Sequence, residues 1–104
     1  MDEFSITPVT QGNVASLDQA LRQLAADLGD DYRADGAKLA AAVCGPGASC
    51  LAVLAMRDGG PMGAVLAAPV FSTTRGGAGL FVSDLWVAQG TRGKGLARRL
   101  LARI

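Results

Sequence analysis

Histidine is absent from all 104 residues. Its absence removes His-based triads, His general bases and nearly all catalytic zinc sites. Cysteine is scarce. Cys44 and Cys50 have five residues between them, which is neither a zinc nor a redox spacing, and no further Cys or His completes a metal site. No metal is therefore expected, and the pair reads as two free thiols, with a short-loop disulfide as the alternative. Long apolar runs are missing too. The longest is Leu51–Met56 with Cys50 before it, which suits a strand and is far too short to span a bilayer. Neither sign of charge dominates: 10 Lys and Arg face 9 Asp and Glu, giving a net charge of +1. That balance gives no support to a nucleic-acid partner, whose grip comes from many phosphate contacts. The opening Met1-Asp2-Glu3 lacks the basic and then apolar pattern of a secretory signal. The expectation is a cytoplasmic protein with neither nucleic acid nor membrane as partner.

What is present fits one small domain over residues 1–104. Half the residues are hydrophobic and 18% are charged, enough to build a core. Much of that content is alanine, so the core should be modest. Ile6 and Val9, interrupted by Pro8, suggest an edge strand within Phe4–Gln11, where a missing backbone donor is tolerated. Asn13 suits an N-cap. Val14, Leu17, Leu21, Leu24 and Leu28 then recur at helical steps, closed by Gly29. A polar stretch, Asp30–Gly36, leads to a shorter helix with Leu39, Ala40 and Val43, ended by Gly45-Pro46-Gly47. Cys50–Met56 reads as a buried strand. Arg57-Asp58-Gly59-Gly60-Pro61 reads as a hairpin turn, and Met62–Thr73 as the return strand. After a Gly-rich turn at Thr74–Gly79, Leu80–Ala88 is a further strand, rich in Phe, Val, Leu and Trp. A loop, Gln89–Lys94, feeds a last helix over Gly95–Ile104. No internal repeat or low-complexity segment interrupts this order.

Three features coincide from Asp84 onward. A strand ends in a loop holding Gly90, Gly93 and Gly95, where the backbone can come close to a ligand and turn successive N–H groups toward an anion. A helix starts at once, with its dipole and first N–H groups pointing into the loop. Arg92 and Lys94 add full charges, and no acidic residue follows Asp84, whereas Arg92, Lys94, Arg98, Arg99 and Arg103 all do. The plain alternative is a helix end enriched in cations to suit its dipole. A Walker loop would need Ser or Thr after Gly93-Lys94, where Gly95 stands. A dinucleotide fold would need Gly-x-Gly-x-x-Gly after the first strand of a βαβ unit, whereas Gly90-x-x-Gly93-x-Gly95 follows an antiparallel meander.

Arg92-Gly93-Lys94-Gly95-Leu96-Ala97, with Leu85-Trp86-Val87 before it, resembles the acetyl-CoA signature of Gcn5-related N-acetyltransferases, the GNAT superfamily. The order of elements agrees over essentially the whole chain, including Asp58-Gly59 in the hairpin and Gly63 at the start of the third strand. The resemblance implies an α+β, three-layer fold: a mainly antiparallel sheet of about four strands, with helices on both faces. It implies acetyl-CoA as cosubstrate and a small amine as acceptor. The backbone of Leu85, Trp86 and Val87 would pair with the pantetheine arm, with the Val87 N–H aimed at the thioester carbonyl. The N–H groups from Arg92 through Gly93, Lys94, Gly95 and Leu96 to Ala97 would hold the pyrophosphate, and Arg98 could reach a phosphate.

Ser83-Asp84-Leu85-Trp86-Val87 is similar to the Glu-Asp-hydrophobic-aromatic-Val stretch of polyamine acetyltransferases in that superfamily. Asp84 falls on the family's Asp, and Ser83 stands where an acidic residue would. Asp84 is therefore the expected catalytic base, directly or through water, or the group that binds the amine's positive charge. The alternative is a strand-end Asp that caps a backbone group. Family members also draw acceptor residues from the loop between the first two helices, which here offers Asp30, Asp31, Tyr32 and Asp35. Complete members continue beyond the helix that holds Ile104, so the resemblance covers only their N-terminal part. Leu100, Leu101 and Ile104 are expected to be partly exposed, which invites association as a homodimer. The chain then reads as a fragment of an active N-acetyltransferase, a dimer-completed enzyme, or a non-catalytic acyl-CoA-binding or interaction module.

Overall fold

The computed structural model describes residues 4–104; Met1-Asp2-Glu3, on which the reading of the N-terminus rests, lie outside the described residues. The chain runs β1 (Ser5–Pro8), α1 (Val14–Leu28), α2 (Gly36–Val43), β2 (Leu51–Arg57), β3 (Gly60–Ser72), β4 (Gly77–Val87) and α3 (Leu96–Leu101). The strands form one antiparallel sheet in the order β1-β2-β3-β4. Pro8 sits on the edge strand, as its missing N–H requires.

Short-range chemistry sets the connections. Asp58 and Gly59 both take positive φ, 52° and 79°, the two-residue hairpin geometry that an Asp-Gly pair favours. Gly29 ends α1 in the left-handed region, while the Asp30 N–H reaches back to the Ala25 carbonyl at 2.9 Å. Asp35 starts α2, its carboxylate accepting from the Lys38 N–H at 2.8 Å. Asn13 does precede α1, but its side chain does not cap it. Asn13 Oδ1 accepts from the Thr10 N–H at 2.7 Å and its amide donates to the Pro8 carbonyl, so it folds the entry turn instead.

Helices cover both faces of the sheet. On one face Leu17, Ala20 and Leu21 of α1 and Leu39 of α2 pack on Leu54, Ala64 and Trp86. On the other, Leu96 and Leu100 of α3 pack on Phe4, Ile6, Val53, Ala55 and Val65. The expectation for Leu100 is corrected here: it is fully buried, whereas Leu101 is exposed. Gly63 is the reason. A Cβ there would stand 2.9 Å from Leu100 Cδ1 and 3.2 Å from Leu96 Cδ2, so the bare glycine makes a pit into which α3 sinks.

Candidate functional site

β4 ends the strand order, so among the described residues one row of its backbone groups faces no strand. In an antiparallel pair the groups alternate between the partner and the open side. The Ala88 N–H donates to the Met62 carbonyl at 2.8 Å and Trp86 stands opposite Ala64, so Leu85 and Val87 turn their N–H and C=O groups outward. A register shift opposite Leu66 and Ala67 leaves Ser83 as an extra residue, a bulge just before this outward-facing segment.

Beside that edge lies a cleft of about 510 Å³. Leu85, Trp86 and Val87 form one wall, the end of α1 with Leu24, Asp27 and Leu28 another, and the loop after β4 the floor. Eight of the residues expected to hold the cosubstrate line it: Leu85, Trp86, Val87, Arg92, Gly93, Gly95, Leu96 and Ala97. Lys94 and Arg98 are exposed outside its lining. Gly93 and Gly95 have φ of 82° and 78°, which a side chain would strain. Among the described residues, no N–H from Gly93 through Arg98 donates to a backbone carbonyl. Of these residues, Gly93, Gly95, Leu96 and Ala97 line the cleft. Thr91 supports the turn from within: it is buried, and its hydroxyl donates to the Ala88 carbonyl at 2.8 Å.

The cations are divided. Arg92 does not point into the glycine loop. Its Nε donates to the outward Val87 carbonyl at 2.9 Å and a terminal nitrogen donates to Asp27 Oδ2 at 3.3 Å. The same carboxylate oxygen accepts from Trp86 Nε1 at 3.3 Å. Hydrogen bonds from Gln23, and then from Trp86 and Arg92, hold the Asp27 carboxyl below the ordinary carboxylate value. Arg103 donates to the Ile6 carbonyl and Arg99 lies 5.9 Å from the centre of the Phe4 ring, so both serve the junction with β1. Asp27 gave no sign in the sequence, because a carboxylate near a helix end looks like any solvated residue. Its partners Trp86 and Arg92 lie 59 and 65 residues away.

A second cavity, of about 260 Å³, meets the first at Leu24 and Leu28. It brings Asp84 together with Asp30, Asp31 and Tyr32, which sequence reasoning had placed on separate elements. The Ser83 hydroxyl lies 2.8 Å from Asp84 Oδ2 and donates to it, but Ser83 itself does not line the cavity. Asp35 is also outside, occupied as the cap of α2. The Tyr32 phenol donates to Asp18 Oδ1 at 2.7 Å, and Arg22 lies 4.7 Å from its ring centre. Both cysteines are free thiols. Among the described residues no cluster of His, Cys, Asp or Glu could hold a metal, and no helix is long and apolar enough to cross a membrane.

An apolar cleft with unpaired amides at one end suits an elongated ligand that ends in an anion. The adjoining acidic cavity suits a cation. A comparison with curated proteins finds no match. Solved structures do share the fold. A ribosomal-protein-alanine N-acetyltransferase from Brucella melitensis biovar Abortus 2308 superposes with a TM-score of 0.72, at 21% identity over 96% of this chain and 67% of that one. An aminoglycoside acetyltransferase from an uncultured soil metagenomic sample, in complex with sisomicin, gives 0.77 at 13% identity over 97% and 66%. An integron cassette protein from the mobile metagenome of Cole Harbour Salt Marsh gives 0.78 at 25% identity over 94% and 65%. The chain thus spans about two thirds of the length of these structures. The sequence profile of the acetyltransferase (GNAT) family matches residues 17–104. On that match, over most of its length, the chain belongs to the acetyltransferase (GNAT) family.

Proposed function

We propose that the chain binds acetyl-CoA in the cleft beside β4 and transfers the acetyl group to a primary amine held in the adjoining acidic cavity, by direct attack in a ternary complex. The observation that carries this reading is one cleft joining two backbone features: the outward groups of Leu85 and Val87, and the unpaired amides of Gly93, Gly95, Leu96 and Ala97. The residues fit the cosubstrate. The edge of β4 can pair with the amides of the pantetheine arm, as it would with a strand. The loop amides can converge on the diphosphate, with Lys94 and Arg98 near enough in sequence to add charge from outside the lining.

Acetyl-CoA, when bound, would supply an acetyl thioester: the amine nitrogen bonds to its carbonyl carbon, the carbon–sulfur bond breaks, and coenzyme A leaves as a thiolate that takes up the proton shed by the new amide nitrogen. The Val87 N–H, fixed on the open edge, is the donor we assign to the acyl oxygen, where a rigid dipole favours developing charge. Asp84 holds the acceptor's positive charge and takes its proton, directly or through water. A lysine-like ammonium, with a pKa near ~10.4, must lose that proton before it can attack. Asp30 and Asp31 add negative charge to the same cavity and favour polycationic acceptors such as polyamines. The sisomicin-bound relative is itself an acetyltransferase for an amine-rich ligand, which supports this acceptor class.

Thiol release from acetyl-CoA in the presence of polyamines and lysine-like amines tests the proposal. Asp84→Asn should lower turnover roughly 10²-fold or more while leaving coenzyme A affinity unchanged. Equal turnover in the variant would contradict the base role. The alternative reading is an acyl-CoA-binding module without turnover. Binding without thiol release from any amine would select it. A homodimer belongs to either reading, and the exposed Phe71 and Phe81 of the distal β3–β4 hairpin offer it an apolar surface that light scattering can probe.

A further inference from the structure

We infer that Asp27 is a positioning residue that competes with the diphosphate of coenzyme A for Arg92 and holds the cleft latched in the free protein. The inference rests on the reading of the cleft as a coenzyme A site. Arg92 opens the glycine loop, yet its side chain leans back across the cleft to Asp27 and to the Val87 carbonyl. That carbonyl is one of the outward groups a bound chain must pair with, so the guanidinium covers part of the edge the ligand needs. Asp27 belongs to α1 and Arg92 to the loop after β4, so their contact ties a wall of the cleft to its floor.

The latch is built to open. Its side chains are 52% and 35% exposed, and ion pairs that wet are weak. A diphosphate brings more charge than one carboxylate and meets the guanidinium beside a row of unpaired amides. Arg92 can therefore exchange one anion for the other, freeing the Val87 carbonyl as it adds charge to the phosphates. Asp27 stays in place without it, because Gln23 and Trp86 still donate to its two oxygens.

The test is a double-mutant cycle in which coenzyme A binding is measured by calorimetry for the wild-type chain, Asp27→Asn, Arg92→Gln and the double variant, with circular dichroism to confirm folding. Asp27→Asn should bind roughly two- to fivefold more tightly, the weight of a wet ion pair, and Arg92→Gln more weakly. In the Arg92→Gln background the Asp27→Asn change should add nothing. An equal gain in both backgrounds would mean a bare charge effect and overturns the latch, as does no gain at all. If Asp27→Asn fails to fold, Asp27→Ser carries the same expectation. Coenzyme A that binds no variant, wild type included, overturns the reading of the cleft itself, and the latch with it.

Discussion

Tyr32 is the chain's only tyrosine, and it fastens the loop between α1 and α2 to Asp18 on α1. Burial, and then the hydrogen bond and charge of Asp18, push its phenol well above the ordinary tyrosine range. The folded state thus favours the neutral phenol. The stability it contributes is complete below about pH 10, where unfolded tyrosine titrates, and is lost as pH climbs through the raised value. We expect the native protein to show no phenolate absorbance step near pH ~10, and the unfolded chain to show one. A native step at the ordinary value would contradict the tie. In Tyr32→Phe, the share of alkaline destabilisation that depends on this group should disappear. At this scale the sequence was informative where chemistry is local. Asp58-Gly59 announced a hairpin and Gly93 and Gly95 a tight loop, and all four residues take positive φ. It was silent where partners are distant, as for Asp27 with Trp86 and Arg92, and it could not show that Asp35 is consumed by a cap.

The helix–sheet contact beneath α3 depends on a residue with no side chain. A methyl group at Gly63 would press on Leu96 and Leu100, and also stand 3.3 Å from the Trp86 carbonyl, which cannot swing aside. Gly63→Ala should cost about 1–3 kcal/mol in urea unfolding, the usual penalty for overpacking, with m unchanged. An unaltered midpoint would show that α3 rides higher than described. Element boundaries were legible in proportion to pattern strength. Val14–Leu28 was readable end to end, because a long apolar stripe meets a glycine stop. The start of β4 at Gly77 was not, because Gly-rich sequence reads as turn until pairing with β3 extends the strand to it. Likewise α3 is helical only to Leu101, and Ala102 and Arg103 form a turn.

For the whole molecule, the antiparallel meander and the helices on both faces were readable from the order of elements. The cavities were not, since each joins segments far apart in sequence. The first joins α1 to β4 and its loop; the second joins the α1–α2 loop to Asp84. The bulge at Ser83 matters here. It divides the edge of β4 into a distal stretch, where Leu80, Phe81 and Val82 are exposed, and the Leu85–Val87 stretch that faces the cleft. Function is thus assigned to backbone more than to side chains, and backbone amides can be observed one by one. The most direct measurement is nuclear magnetic resonance of the labelled chain during titration with coenzyme A. The amides of Gly93, Lys94, Gly95, Leu96, Ala97 and Arg98 should shift together and saturate along with that of Val87. Saturable binding that leaves these amides unmoved would contradict the account.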